Sequence, residues 1–281
     1  MTAMQAGANR GPEIGIGTAL RDRYLEVVAS IYLYNEHRGY TALDRVLEAA
    51  RARCPGEAEF IAAVSSHRAD ERKHYLMFKR WFERRGSMPL AVDRSCGHID
   101  HFIQRIFGCT IDDLDTAAVI ADGAAFERLC RIIMLTEQRG FAQVEVLLRN
   151  RMIRADPVMT RIFTIIHEDE PSHFLPYQHW LERGGRPLGS WREKLADWSI
   201  HKLLMLVKLP VLFFDAGAKR LVAWPDAGES VTCHSSPHRG GITPAQPSDR
   251  PPDRCAPRGR NPLPPCAQNA RKQRSFGRSA Y

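Results

Sequence analysis

The feature that most limits how this chain can fold is a duplication. Asp70-Glu71-Arg72-Lys73-His74-Tyr75-Leu76 aligns with Asp169-Glu170-Pro171-Ser172-His173-Phe174-Leu175. The match runs on through Trp81 and Trp180, Glu83 and Glu182, Arg84 and Arg183, and Gly86 and Gly185, at a constant offset of 99. The preceding stretch repeats as well. Ile31 to Tyr40, with Glu36, Arg38 and Gly39, aligns with Ile132 to Phe141, with Glu137, Arg139 and Gly140, at an offset of 101. One supersecondary unit has been used twice.

Apolar periodicity near 3.6 dominates residues 18–208, and strand-like alternation is scarce. The spacing predicts helices over 20–53, 57–84, 113–154 and 158–183, and a further one over 191–208. Stop signals support these ends: Pro55, Gly86 with Pro89, Pro157, and Gly184-Gly185 with Pro187. Residues 87–112 read as a longer connection with a short helix near 101–107. The chain is thus all-α, built from two repeated helical hairpins plus an appended helix.

Each hairpin carries one glutamate on its first helix and Glu-x-x-His on its second. Residues at i and i+3 share a helix face. Glu71 and His74 can address one metal, and Glu170 and His173 a second, with Glu36 and Glu137 arriving from the neighbouring helices. Four carboxylates and two imidazoles suit iron or manganese better than thiophilic metals. Without cations, so many carboxylates in a helical core would repel, and several would hold protons.

This set of ligands resembles that of the ferritin-like di-iron carboxylate proteins, which place one Glu on each of two helices and Glu-x-x-His on each of the other two. Bacterioferritins, rubrerythrins, acyl-carrier-protein desaturases, demethoxyubiquinone hydroxylases and tRNA hydroxylases share it. The resemblance covers roughly residues 18–185 and assigns no subfamily. It implies a ferritin-like four-helix bundle holding two iron ions, with manganese the minority option. In some members the aspartate before the motif hydrogen-bonds the histidine of the other motif. By analogy Asp70 orients His173, and Asp169 orients His74.

The resemblance leaves three functions open. The first is O2 activation for oxidation or hydroxylation of an organic substrate. The second is ferroxidase, storage or peroxide chemistry. The third is a helical interaction protein with a structural metal. The long connection and the post-bundle helix add walls around a pocket and favour the first. No C-x-x-C pair exists to hold a built-in electron donor. An oxygenase of this kind needs an external ferredoxin or flavin reductase, acts on a small-molecule substrate, and is compatible with a homodimer.

Other residues carry weaker signals. Gly39 and Gly140 follow the helix glutamates by three residues; they serve either close helix packing, the favoured reading, or space near the metals. Arg38 and Arg139 suit pairing with carboxylates near the site or at the surface. Trp81 and Trp180 read as core. His37, His67 and His167 read as surface residues or as neighbours of the ligands rather than ligands. Pro171 predicts a kink beside Glu170. Residues 203–214 are strongly apolar with flanking lysines; packing on the bundle is favoured over lying on a membrane.

Charge and composition bound the rest. Of the net charge of +8, residues 225–281 contribute +5, so the main domain shows no strong nucleic-acid signal. Ten of the eighteen prolines lie there too, and large aliphatics are few, so 224–281 reads as a disordered Pro/Arg-rich tail. It suits a flexible interaction arm, and equally resembles an out-of-frame translation. Residues 1–17 read as a flexible N-terminus without a signal pattern, and 18–223 as the folded domain. Gly15 and Gly17 lack the third glycine and the preceding strand of a dinucleotide fingerprint. No run of about 18 uncharged apolar residues predicts a membrane span. Seven scattered cysteines read as reduced thiols of a cytoplasmic protein.

Overall fold

Residues 16–227 are described by the computed structural model, and every long element among them is a helix. The terminal segments expected over 1–17 and 224–281 lie outside the described residues, apart from their inner ends. There Ile16 and Gly17 already belong to the first helix, and Trp224 is half-buried against the core.

Helix α1 (Ile16–Arg53) and α2 (Ala58–Arg84) form the first hairpin, joined by a turn at Pro55 and Gly56. The long connection that follows holds α3 (His98–Phe107). The expected single helix over 113–154 is three: α4 (Thr116–Ala121), α5 (Gly123–Arg149) and α6 (Arg151–Arg154). Two short polar side chains make the breaks. Asp122, extended at φ −106° and ψ 108°, caps α5 by accepting from Ala124 N, and Asn150 caps α6 by accepting from Met152 N.

Helix α7 (Pro157–Arg183) completes the second hairpin with α5. It starts as helices prefer to, with Asp156 as cap and Pro157 in the first turn. It continues as one helix through Pro171 and Pro176. Both hairpins end alike. Gly86 at φ +61° lets Gly86 N reach Glu83 O and Ser87 N reach Phe82 O; Gly185 at φ +63° does the same with Glu182 O and Leu181 O.

Two apolar clusters flank a polar middle. One gathers Leu33 of α1, Phe78 of α2, Val144 of α5 and Phe163 of α7; the other gathers Val46, Phe60, Met134 and Trp180 of the same helices. Between them, each helix places its glutamate or histidine. Their order along the chain shows the direction of each helix: α1 and α7 run one way, α2 and α5 the other. Helices α2 and α7 pack closely, whereas α1 and α5 touch little. That leaves the α1–α5 side open.

The open side is covered by α3 and by α8 (Trp191–Leu203), which continues through a π-helical segment (Leu204–Lys208) into α9 (Leu209–Phe214). A Ser190–Glu193 capping box starts α8. The repeated arginines hold this cover. Arg38 grips the buried Asp100 of α3 with two of its nitrogens, Nη2 at 2.7 Å and Nε at 3.1 Å, and Arg139 pairs with the buried Asp197 of α8. At the far end, Arg23 of α1 donates to the carbonyls of Leu212, Phe213 and Asp215 at 2.6–3.2 Å, satisfying the terminus of α9. The expected packing of 203–214 on the bundle holds for one side only. Leu204 lies against the core, while no residue of 204–214 is buried.

Candidate metal centre

The site is built at one level of the four long helices. Helix α1 supplies Glu36, α5 supplies Glu137, α2 supplies Glu71 and His74, and α7 supplies Glu170 and His173. All are buried except Glu137, whose side chain is 13% exposed. The structure brings all six predicted ligands together. His74 Nδ1 lies 3.4 Å from Glu36 Oε2, and His173 Nδ1 lies 3.5 Å from Glu71 Oε1 and 3.7 Å from Glu170 Oε2.

The two aspartates cross between the motifs. Asp169 Oδ2 accepts from His74 Nε2 at 2.9 Å, and Asp70 Oδ2 stands 3.6 Å from His173 Nε2, an ion-pair distance rather than a formed hydrogen bond. Lys73 bridges both aspartates at 2.7 Å. Holding Nε2 from outside turns each Nδ1 toward the carboxylates and fixes the ring.

A seventh group joins them. His67, read from sequence as surface or as a neighbour of the ligands, is buried at 1% exposure. Its Nδ1 lies 3.3 Å from the Tyr177 hydroxyl, and its Nε2 faces Glu71 and Glu137 at 3.6 Å each. Its ring stacks on His173 with centroids 4.2 Å apart. Two groups of ligand atoms, each within 4.8 Å of one another, result: His67, Glu71, Glu137 and His173, and Glu36, Glu71 and His74. Glu71 belongs to both. Glu170 stands beside them with Oε2 buried and without a hydrogen bond.

The repeat hides His67, because its counterpart is Ile166; the counterpart of Tyr177 is Phe78. The signal that finds it is helical spacing. His67, Glu71 and His74 lie at i, i+4 and i+7, one face of α2. The other two histidines lie elsewhere. His37 packs against Tyr40 and Tyr75, and His167 stacks on Phe141 near Glu145.

The electrostatics are those of a site that could hold cations. Burial, then the neighbouring carboxylates, pushes the Glu71 and Glu137 carboxyls well above the usual range. Burial also raises Glu170, against the pull of His173. Burial opposes charge on His74 and His173. The carboxylates of Asp169 and Glu36 outweigh it and raise His74 to about 9; those of Asp70 and Glu170 raise His173 to about 10. His67 is driven down, first by burial and then by its histidine neighbours, and stays neutral. Nδ1 of His74 and His173, Nε2 of His67 and Oε2 of Glu170 are all buried without hydrogen-bond partners. Orphaned donors and acceptors facing one another are costly unless something joins them. Carboxylate oxygens and neutral imidazole nitrogens are what hard or borderline divalent cations take.

The repeated glycines face this centre. A Cβ on Gly39 would collide with the Glu71 carboxylate, and one on Gly140 would stand 3.0 Å from Glu170 Oε1. The space beside each glycine is filled by a carboxylate of the helix packed against it, so close helix packing and room at the centre coincide here. Gly39→Ala separates the two readings. Helix propensity gains about 1 kcal/mol, while Glu71 is displaced. The expected result is a metal-free protein that melts no lower than wild type yet takes up less metal by elemental analysis. Unchanged metal content would return Gly39 to a packing role.

Beside the carboxylates lies a cavity of about 130 Å³, between α1 and α5 and under the α8–α9 cover. Glu36, Glu71, Glu137 and Glu170 form part of its lining; Tyr32, Ile99, Ile133, Leu204, Met205 and Leu209 supply apolar surface. Comparison with family models, with curated proteins and with solved structures finds no match for this chain. What the centre can do follows from its own residues.

Proposed function

We propose that this chain is a ferritin-like four-helix di-iron protein that activates O2 to oxidise or hydroxylate an organic substrate. The observation that carries the reading is the position of the centre. Seven carboxylate and imidazole groups converge, six of them buried, and the four carboxylates line a mostly apolar cavity. A storage site has no use for such a chamber, whereas oxidation of an organic molecule requires one.

The donor set fits two cations. Glu71 can serve both, Glu36 and His74 one, and Glu137, His173 and His67 the other, with Glu170 adjacent. Two ferrous ions held there would supply two electrons to O2. The chain's own residues do the rest. Asp169 and Asp70 hold the histidine rings from outside. The α8–α9 cover shields the chamber from water. Tyr32 Oη is buried without a hydrogen bond and lines the chamber. Burial, and then the charges of Glu36 and Glu170, keep its proton on. Tyr32 is thereby placed to donate a hydrogen bond or a proton to a bound group. With no C-x-x-C pair, reducing equivalents come from an external protein.

The test is anaerobic loading with ferrous iron followed by a pulse of O2. The expected result is fast single-turnover O2 uptake that stops at about one O2 per two irons and produces no mineral. Continued ferrous oxidation with mineral growth in a large cage would favour iron storage. Bound iron without O2 uptake would favour a structural metal.

A further inference from the structure

We propose that the α8–α9 cover is a membrane-docking face that seats the protein on an anionic phospholipid bilayer, with the cavity beneath it. Fourteen large apolar side chains are exposed among the described residues, and eight of them lie between Trp191 and Phe214. They keep to the outer side: Trp191 and Trp198 on α8, Leu206 and Val207 on the π segment, and Val211 and Phe214 on α9, with exposures of 47–79%. An apolar patch concentrated on one element marks a surface that is covered in use.

The charges identify the cover. Acidic groups on α8 are turned inward: Glu193 is buried on Arg131 and Asp197 on Arg139. Basic groups are turned outward: Arg192, Lys194 and Lys202 are exposed, with Lys219 just beyond. Asp215 is the only exposed carboxylate from 191 to 220. A face of tryptophan, leucine, valine and phenylalanine rimmed by cations and nearly free of acids is complementary to an anionic lipid surface. Among the described residues no helix is long and apolar enough to cross a membrane, so the segment lies along the surface.

The placement of the segment agrees. Arg23 fixes the end of α9 through backbone carbonyls, which leaves its apolar side chains outside. The π-helical turns at 204–208 show both sides of the device. Leu206 and Val207 face out, while Leu204, Met205 and Lys208 line the cavity. A π segment inside a helix is uncommon and often marks a functional site. A lipid-dissolved substrate would need to cross only this one layer of helix to reach the chamber.

The docking face does not depend on the metal, so it is tested on metal-free and metal-loaded full-length protein alike. The probe is co-sedimentation with phosphatidylcholine vesicles, with and without phosphatidylglycerol, at low and high salt. The expected result is binding to the phosphatidylglycerol vesicles that persists in part at high salt. It should weaken at least tenfold in Val211→Glu/Phe214→Glu, and be unchanged in Val146→Glu, an exposed apolar position on α5. Equal binding by the double variant, or binding abolished by salt in all proteins, would overturn the proposal in favour of simple electrostatic attraction. A wild type that ignores vesicles but forms a dimer broken by the double variant would overturn it in favour of a second copy of this chain.

Discussion

Replacing Glu71 by glutamine is expected to empty the metal centre while leaving the fold standing. Glu71 is the one carboxylate shared by both groups of ligand atoms, and its oxygens lie near His67 and His173. Glutamine keeps the volume but removes the charge. Both ions lose a ligand and the site loses one of its four balancing anions, so bound metal should fall from about two ions per chain to below one. Without metal the effect on stability has the opposite sign. Glu71 is buried and surrounded by carboxylates, which is why its carboxyl is driven well above the ordinary range. A neutral amide relieves that repulsion, so the metal-free variant should melt as high as wild type or a few degrees higher at pH 8. Elemental analysis and thermal melts on the same samples check both halves. A variant that keeps its metal would remove Glu71 from the centre. A variant that loses metal only because it unfolds would show a lowered metal-free melt.

Much of this arrangement was legible because the chain repeats itself. Two copies of Asp-Glu-x-x-His at a fixed offset placed two helices in register, and the upstream Glu36 and Glu137 located their partners. The terminating glycines repeat at the same offset, so the ends of α2 and α7 could be read from glycine's access to positive φ. What stayed hidden is what the repeat does not contain. His67 faces Ile166 in the alignment, and its partner Tyr177 faces Phe78, so the asymmetry of the centre is invisible to a comparison of the halves. The divisions at Asp122 and Asn150 depend on a side chain outcompeting a backbone carbonyl for one N–H, a local contest that apolar periodicity does not register. The partners of Arg38 and Arg139 lie 62 and 58 residues away on separate helices, and only tertiary structure joins them. The apolar run at 203–214 announced a hydrophobic surface; which of its sides faced the bundle had to come from the fold.

Removing the metal is expected to make stability fall as pH rises from 7 to 9, and restoring it to abolish that fall. The sign follows from the shifted groups. Glu71, Glu137 and Glu170 have folded values raised above the unfolded one of about 4.3. The stability tied to their protons is complete below that value and is lost as pH climbs through the raised ones. His74 and His173, raised to about 9 and about 10, follow the same rule from an unfolded value of about 6.5. Asp70, held at about 2 chiefly by the neighbouring His173, and Asp169, lowered by His74, act the other way, but only in acid. His67, driven down by burial, also acts the other way and only below about pH 6.5. Above pH 7 the acidic cluster and the two raised histidines therefore set the slope. Divalent cations take the places of those protons and bind more tightly as the protons leave. At a free metal concentration a thousandfold above Kd, each site adds about 4 kcal/mol, or roughly 10 °C for a domain of this size. Melting curves of chelator-treated and manganese-loaded protein across pH 7 to 9 should therefore diverge, the first falling and the second holding level. Parallel curves would mean that the buried carboxylates and histidines do not meet a metal at all.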